Sequence, residues 1–161
     1  IFEAELSKEL IVRNINAVES FEVFKATFTS AKQTEENIQK EVNRLSENGF
    51  DAILISMVKG VNQKTVYSAD MYRTDYYWRR FGRYYYLYQD VYFDPGYYEK
   101  YNIYNIEASL FDLKNHEDKA LVWVASYNII DPQSINTTVK DYVKAIIRTL
   151  ENEAIIPSIN K

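Results

Sequence analysis

The sequence predicts an α/β protein of the α+β type, in which three helices pack on a single mixed β-sheet that contains a long antiparallel hairpin. Two runs rich in apolar and β-branched residues flank the polar stretch 114–119, which is the pattern of a hairpin. Apolar residues at helical spacing occur before and after this hairpin. A tyrosine-rich segment, 61–100, is inserted between the first half of the chain and the hairpin.

The predicted hairpin pairs Tyr101–Asp112 with Ala120–Ile129 and organises the rest of the fold. Apolar and polar residues alternate in its first strand, and we expect the apolar row to face the core. That row consists of Tyr104, Ile106, Ala108 and Leu110, alternating with Asn105, Glu107 and Ser109. The second strand contains a continuous apolar block, 121–124, and ends before Pro132, which cannot continue a ladder.

Three helices are predicted where apolar residues recur every three or four positions: 2–14, 34–48 and 137–151. Asn14 and Gly49 are expected to end the first two, because both residue types tolerate the left-handed conformation of a helix cap. Thr34 is expected to cap the start of the second helix. The buried stripe of the second helix is expected to be Ile38, Val42 and Leu45. The second and third helices should pack on the sheet through Leu45, Ile146 and Leu150.

Two further strands, Ala17–Phe28 and Asp51–Val58, are predicted after the first two helices. Asp51–Val58 is short and rich in isoleucine, which is typical of a buried central strand. The two helix exits also match, because a helix stop, an apolar residue, a short polar residue, an alanine and a β-branched residue follow in the same order at 14–18 and 49–53. This repeat predicts that the two strands run parallel, side by side.

Length and composition exclude several classes of protein. The chain has 161 residues, which suits the single domain, 1–161, that we expect. Its net charge of −4 argues against a nucleic-acid partner. It contains no cysteine, which excludes disulfides, thiolate metal sites and a cysteine nucleophile. No apolar run approaches the roughly 20 residues of a membrane span. The first residue is not methionine, so we expect a processed or trimmed chain.

The tyrosine-rich segment is the feature that composition leaves unexplained. Thirteen of the 15 tyrosines lie between Tyr67 and Tyr104, among charges balanced in sign. Surface tyrosines make good contacts with proteins or sugars, and arginines can stack on their rings. The alternative interpretation is a minor core of rings that pack on one another. Short strands are expected at Tyr84–Tyr88 and at Tyr92, and the predicted binding residues are Tyr76, Tyr77, Trp78, Arg79, Arg80, Tyr84, Tyr85 and Tyr86.

No motif for catalysis or cofactor binding is found. His116, the only histidine, lies in the polar hairpin turn and is expected to be exposed and dispensable, since one histidine cannot build a typical metal site. The four glycines are too scattered for a phosphate-binding loop, and no serine-nucleophile motif is present. We therefore expect no cofactor, no metal and no enzyme activity. The alternative is a carbohydrate-active hydrolase, whose paired carboxylates would come from Asp70, Asp75, Asp90, Asp94 and Glu107.

The order of elements resembles that of small bacterial envelope lipoprotein domains of unknown function. The residues that carry the resemblance are Gly49-Phe50-Asp51-Ala52, Leu110-Phe111-Asp112 and Leu121-Val122-Trp123. Such domains are similar to the amino-terminal domain of TolB and to lipoprotein activators of peptidoglycan synthases. The resemblance implies a non-catalytic binding or assembly module in the periplasm or at the outer membrane, anchored through an upstream lipidated cysteine. Its implied partner is an envelope protein or a glycan.

Overall fold

The computed structural model describes residues 1–61, 81–82, 85, 103–115, 120–130 and 134–159. Within them the chain is α+β, with one three-stranded sheet. Their helices and strands are α1 (Phe2–Val12), α2 (Ser20–Val23), α3 (Ala26–Thr29), α4 (Glu35–Glu47), β1 (Ala52–Val61), β2 (Ile103–Asp112), β3 (Leu121–Ile130) and α5 (Ile135–Asn152). These elements form two compact units, one of Ile1–Ser30 with Pro132–Lys161 and one of Ala31–Asp131.

In the first unit, α1 and α5 pack on each other. The ring of Phe2 stacks on Tyr142, with ring centroids 5.4 Å apart. At the other end of α1, Arg13 Nε donates a hydrogen bond of 2.7 Å to Glu151 Oε1. The closing helix was predicted from its apolar periodicity, and that prediction is confirmed. Its buried residues recur at helical spacing: Tyr142, Val143, Ile146, Ile147 and Leu150.

The strand predicted at Ala17–Phe28 is wrong, because the short helices α2 and α3 occupy this segment. Side chains of α1 satisfy its backbone in place of a sheet neighbour. Glu3 Oε2 accepts a hydrogen bond of 2.8 Å from the Ser20 N–H, and Ser7 Oγ donates one of 3.0 Å to Ala17 O. Five helices are therefore described where three were predicted, and the two additional ones replace this strand.

The second unit contains α4 and an antiparallel sheet with the strand order β1-β2-β3. α4 was predicted correctly: Thr34 Oγ1 accepts a hydrogen bond from the Asn37 N–H, and Ile38, Val42 and Leu45 are buried. The predicted hairpin is confirmed as β2 and β3, which pair antiparallel from Ile103↔Ile130 to Phe111↔Leu121.

The mixed sheet and the central position of Asp51–Val58 are both wrong. This segment forms β1, which pairs antiparallel with β2 and is an outer strand of the sheet that the described residues form. The predicted parallel partner is absent because Ala17–Phe28 is helical. A bulge interrupts the register of β1 between Val58 and Gly60, so that Lys59 is an extra residue in the ladder.

The matching helix exits that suggested parallel strands share a Schellman cap. Asn14 and Gly49 have φ of 60° and 88°. In both exits this residue donates to the carbonyl three positions earlier, and the next residue donates to the carbonyl five positions earlier. Ala154, with φ of 57°, ends α5 in the same way. The sequence repeat therefore reflects a common helix cap and not a repeated helix–strand unit.

The expected burial of the hairpin's apolar row is confirmed only in part for β2, because Ala108 is buried but two residues of the polar row are buried as well. Glu107 and Ser109 are buried, with exposures of 5% and 0%, whereas Ile106 and Leu110 are half-buried. Antiparallel partners share a face of the sheet, and Glu107 and Ser109 are opposite Met57 and Ile55 of β1. The polar row of β2 thus faces apolar neighbours, which alternation within β2 alone does not indicate.

Candidate functional site

A cleft of about 460 Å³ opens in the second unit, beside α4. One wall is a polar face of this helix, formed at positions i, i+4, i+7 and i+8 by Gln39, Asn43, Ser46 and Glu47. Two further walls lie opposite this helix. Phe81 and Gly82 form one, and the connection between β2 and β3 forms the other. The described residues of that connection that line the cleft are Asp112, Leu113, Asn115 and Ala120.

The helical wall of the cleft follows from the amphipathic pattern of α4. Ile38, Val42 and Leu45 form the buried stripe, and Val42 also reaches the cleft. Because Gln39 and Asn43 are four residues apart, their side chains meet on the helix surface. Gln39 Nε2 donates a hydrogen bond of 3.0 Å to Asn43 Oδ1, which fixes the orientation of both amides.

Side-chain contacts hold the hairpin wall where β2 ends. Asp112 Oδ1 accepts a hydrogen bond of 2.8 Å from the Lys114 N–H, a local turn interaction typical of aspartate. The Leu113 N–H donates a hydrogen bond of 2.9 Å to the carbonyl oxygen of Asp51, just before β1. Lys114 also forms an exposed ion pair with Asp51, and this hydrogen bond raises the pKa of Lys114. Solvent screens an exposed pair of this kind, so its contribution to stability is small.

Phe81 anchors the tyrosine-rich segment, 61–100, in the second unit. Its side chain is buried, and its ring meets Phe111 of β2 edge-on, with centroids 5.5 Å apart. Gly82 lies against α4, where an added Cβ would be 3.5 Å from Gln39 Oε1 and 3.7 Å from Ile38 Cγ2. Phe81 and Gly82 are in helical conformation. The backbone of the segment therefore approaches α4 at the edge of the cleft.

Tyr85 is the one predicted binding residue that the structure describes. It is half-buried and its ring centroid lies 5.9 Å from that of Phe81, at an angle of 53°. Tyr85 is in helical conformation, so the strand expected at Tyr84–Tyr88 is wrong at this position. The other predicted binding residues lie outside the described residues, as does His116: Tyr76, Tyr77, Trp78, Arg79, Arg80, Tyr84 and Tyr86.

The described lining of the cleft defines the chemistry of a ligand that fits it. Three amides and one hydroxyl can each donate and accept hydrogen bonds, and two carboxylates only accept when ionised. Lysine and arginine are absent from the lining residues that the structure describes. Such a cleft suits a ligand with many hydroxyl groups or a cation, and it disfavours an anion.

A buried ion pair lies in the same unit, apart from the lining of the cleft. Lys59 Nζ is 3.0 Å from Glu107 Oε1, and Ser109 Oγ is 3.5 Å from the same oxygen. Burial lowers the pKa of Lys59 to about 8, although the Glu107 carboxylate acts in the opposite direction. Of the five carboxylates in the hydrolase hypothesis, Glu107 is the one within the described residues, and it is occupied by this pair.

Sequence reasoning missed Lys59 and the polar wall of α4. Lys59 was detectable as a single charge at the end of an apolar strand, as was Glu107 within the alternating strand. Among the described residues, no group of three or more histidine, aspartate or glutamate side chains is placed to hold a metal ion. None of the described helices has the length and apolar character needed to cross a membrane.

Comparison of the chain with protein-family models, curated proteins and solved structures finds no match.

Proposed function

We propose that this chain is a non-catalytic binding module of the bacterial cell envelope that contacts a glycan through the cleft beside α4 and the adjoining tyrosine-rich segment. The observation that carries the proposal is the anchoring of that segment at the cleft. Phe81 is buried against Phe111, and Phe81 and Gly82 both line the cleft. The ring of Tyr85 contacts Phe81, so the described part of the segment adjoins a polar, ligand-sized opening.

The choice of a glycan rests on the side chains of the cleft. Sugar hydroxyls both donate and accept hydrogen bonds, as do the amides of Gln39, Asn43 and Asn115. Tyrosine and tryptophan add flat apolar faces and polar groups at low entropic cost, which suits the faces of sugar rings. A protein partner would use the same aromatic surface, and it is the competing outcome of the test below.

The location in the periplasm or at the outer membrane, with a lipid anchor on an upstream cysteine, rests on the sequence resemblance alone. Metabolic labelling of the full precursor with a radioactive fatty acid tests it. Incorporation that disappears when the first cysteine after the signal peptide is changed to serine is the expected result. A precursor that incorporates no label contradicts the lipid anchor and leaves the proposed binding unaffected.

A cleft-filling variant provides the test of binding. The probe is glycan prepared from bacterial cell walls and freed of protein, immobilised on beads. Asn43→Trp should fill the cleft and abolish retention of the chain on the beads. Asn37→Trp is the matched control, because Asn37 is exposed on the same helix and does not line the cleft. This control should bind as the unmodified chain does.

Serine substitutions test the contribution of the tyrosines. Tyr76→Ser with Tyr77→Ser should weaken retention at least tenfold, while circular dichroism shows an unchanged fold. Truncation of an aromatic anchor commonly costs about 2 kcal/mol or more, which exceeds the roughly 1.4 kcal/mol of a tenfold loss. Binding of the chain to an envelope protein, with no retention of the chain on the glycan beads, would assign the surface to a protein partner. Retention of neither would contradict the proposed function.

A further inference from the structure

The two outer strands of the sheet are protected to different degrees against pairing with another strand. An outer strand presents a row of backbone N–H and C=O groups that another strand can join. β1 carries two of the known protective features. The bulge at Lys59 interrupts its register, and the Lys59 side chain points inward to Glu107.

β3 lacks such protection over most of its length. Its own bulge lies at Val122, near its beginning, and from Trp123 to Ile130 it pairs with β2 in unbroken register. This stretch contains no charged residue, no proline and no glycine. Among the described residues β2 is its single strand partner, and Val124, Ser126 and Asn128 are exposed along it.

We propose that two copies of this chain pair antiparallel through β3, around a two-fold axis perpendicular to the sheet, and form a continuous six-stranded sheet. In a two-fold pairing every residue of the strand lies opposite a residue of the same strand. Any lysine or glutamate near the axis would therefore meet its own charge, at a cost in stability. β3 contains neither, although the chain as a whole carries a net charge of −4. This absence of self-repulsion favours a second copy as the occupant.

The axis makes a geometric prediction. In such a ladder one residue faces its own copy, with Cα atoms about 4.5–5.5 Å apart, which is within the range that a disulfide spans. The chain has no cysteine, so single-cysteine variants at positions 124–128 give an unambiguous scan. Under oxidising conditions one of these positions should form a covalent dimer in high yield. Thr137→Cys, exposed on α5, is the control and should not.

A charge placed on the strand tests the same surface without any cross-link. Analytical ultracentrifugation of the unmodified chain should show a monomer–dimer equilibrium, and Ser126→Lys should raise its dissociation constant at least tenfold. Thr137→Lys changes the net charge equally and should leave the constant unchanged. A chain that stays monomeric overturns the proposal and leaves this edge to a strand from another protein. A dimer that is insensitive to Ser126→Lys and cross-links at none of positions 124–128 also overturns it.

Discussion

Lys59 and Glu107 form an ion pair across the ladder of β1 and β2, with Nζ 3.0 Å from Oε1. Their side chains are 9% and 7% exposed. Met57 of β1 is the register partner of Glu107, and Lys59 lies two residues further along the same strand. Taking both charges out of water costs free energy that their mutual attraction offsets only in part.

Replacing one partner should cost more than replacing both. Glu107→Met leaves a buried ammonium, and Lys59→Met leaves a buried carboxylate, so each should lower the free energy of unfolding by about 3–5 kcal/mol. The double variant removes both charges and should be close to the unmodified chain. Urea unfolding of the four proteins measures this coupling. Additive losses in the double variant would show that the two side chains act independently.

The stability of the chain should rise with pH through the titration of Lys59. Its pKa is about 8 in the folded chain, and its ordinary value is 10.5. Between these values the unfolded chain binds more protons, so the free energy of unfolding increases with pH, by up to about 3 kcal/mol across the window. The double variant with methionine at both positions lacks the titration of Lys59 and keeps all the tyrosines, which also titrate at high pH. Measured from pH 7 upward, the free energy of unfolding of the unmodified chain should rise more steeply with pH than that of the double variant. Equal slopes in the two proteins would contradict the prediction.

The three left-handed helix caps differ in the residue that bears the positive φ. Ala154 has φ of 57°, a conformation that costs an L-residue about 1–2 kcal/mol. Ala154→Gly should therefore raise the free energy of unfolding by about 1 kcal/mol. Gly49→Ala should lower it by about the same amount through backbone strain alone, since an added Cβ meets no atom within 4 Å. Ala145→Gly, within α5, is the control for glycine itself and should destabilise by about 1 kcal/mol.

Glu3 should determine the helical conformation of the segment that follows α1. Its carboxylate accepts hydrogen bonds from both the N–H and the Oγ of Ser20, at 2.8 and 2.6 Å. Glu3→Gln weakens both and should cost about 1 kcal/mol, as loss of a helix cap does. Amide exchange of α2 should accelerate in this variant. Glu5→Gln, in the same first turn of α1, is the control, and equal acceleration in both would assign the effect to the helix dipole.

The anchor of the tyrosine-rich segment has a measurable stability. Phe81→Ala removes a buried ring from its contact with Phe111 and should lower the free energy of unfolding by about 3–5 kcal/mol. Phe21→Ala removes a ring that is 68% exposed and should change it by less than about 0.5 kcal/mol. A small loss for Phe81→Ala would mean that the second unit folds without this anchor.

The candidate site was only partly predictable. The tyrosine-rich segment was singled out by composition, and Phe81 connects it to the cleft. The sequence did not single out the polar wall of α4, because Gln39 and Asn43 are the kind of residues found on any solvated helix face. Their role depends on the walls opposite, which Gly82 and the β2–β3 connection supply from positions some 40 to 80 residues further along the chain.

Local signals in the sequence determined the long helices, their caps and the hairpin. Apolar periodicity, the hydroxyl of Thr34 and the left-handed tolerance of Asn14 and Gly49 act within one or two helical turns, so they can be predicted from neighbouring residues. The pairing of β2 with β3 is local in the same sense, since a short polar turn joins two β-branched runs.

Tertiary structure alone decided the helical conformation of Ala17–Phe28, the direction of β1 and the buried face of β2. Glu3 caps α2 from 17 residues away, and Lys59 neutralises Glu107 from 48 residues away. Each contact satisfies a polar group whose partner is distant in the sequence, and a buried polar group adopts the conformation in which it is satisfied. Propensity and alternation describe only neighbouring residues, and they yield to these long-range contacts.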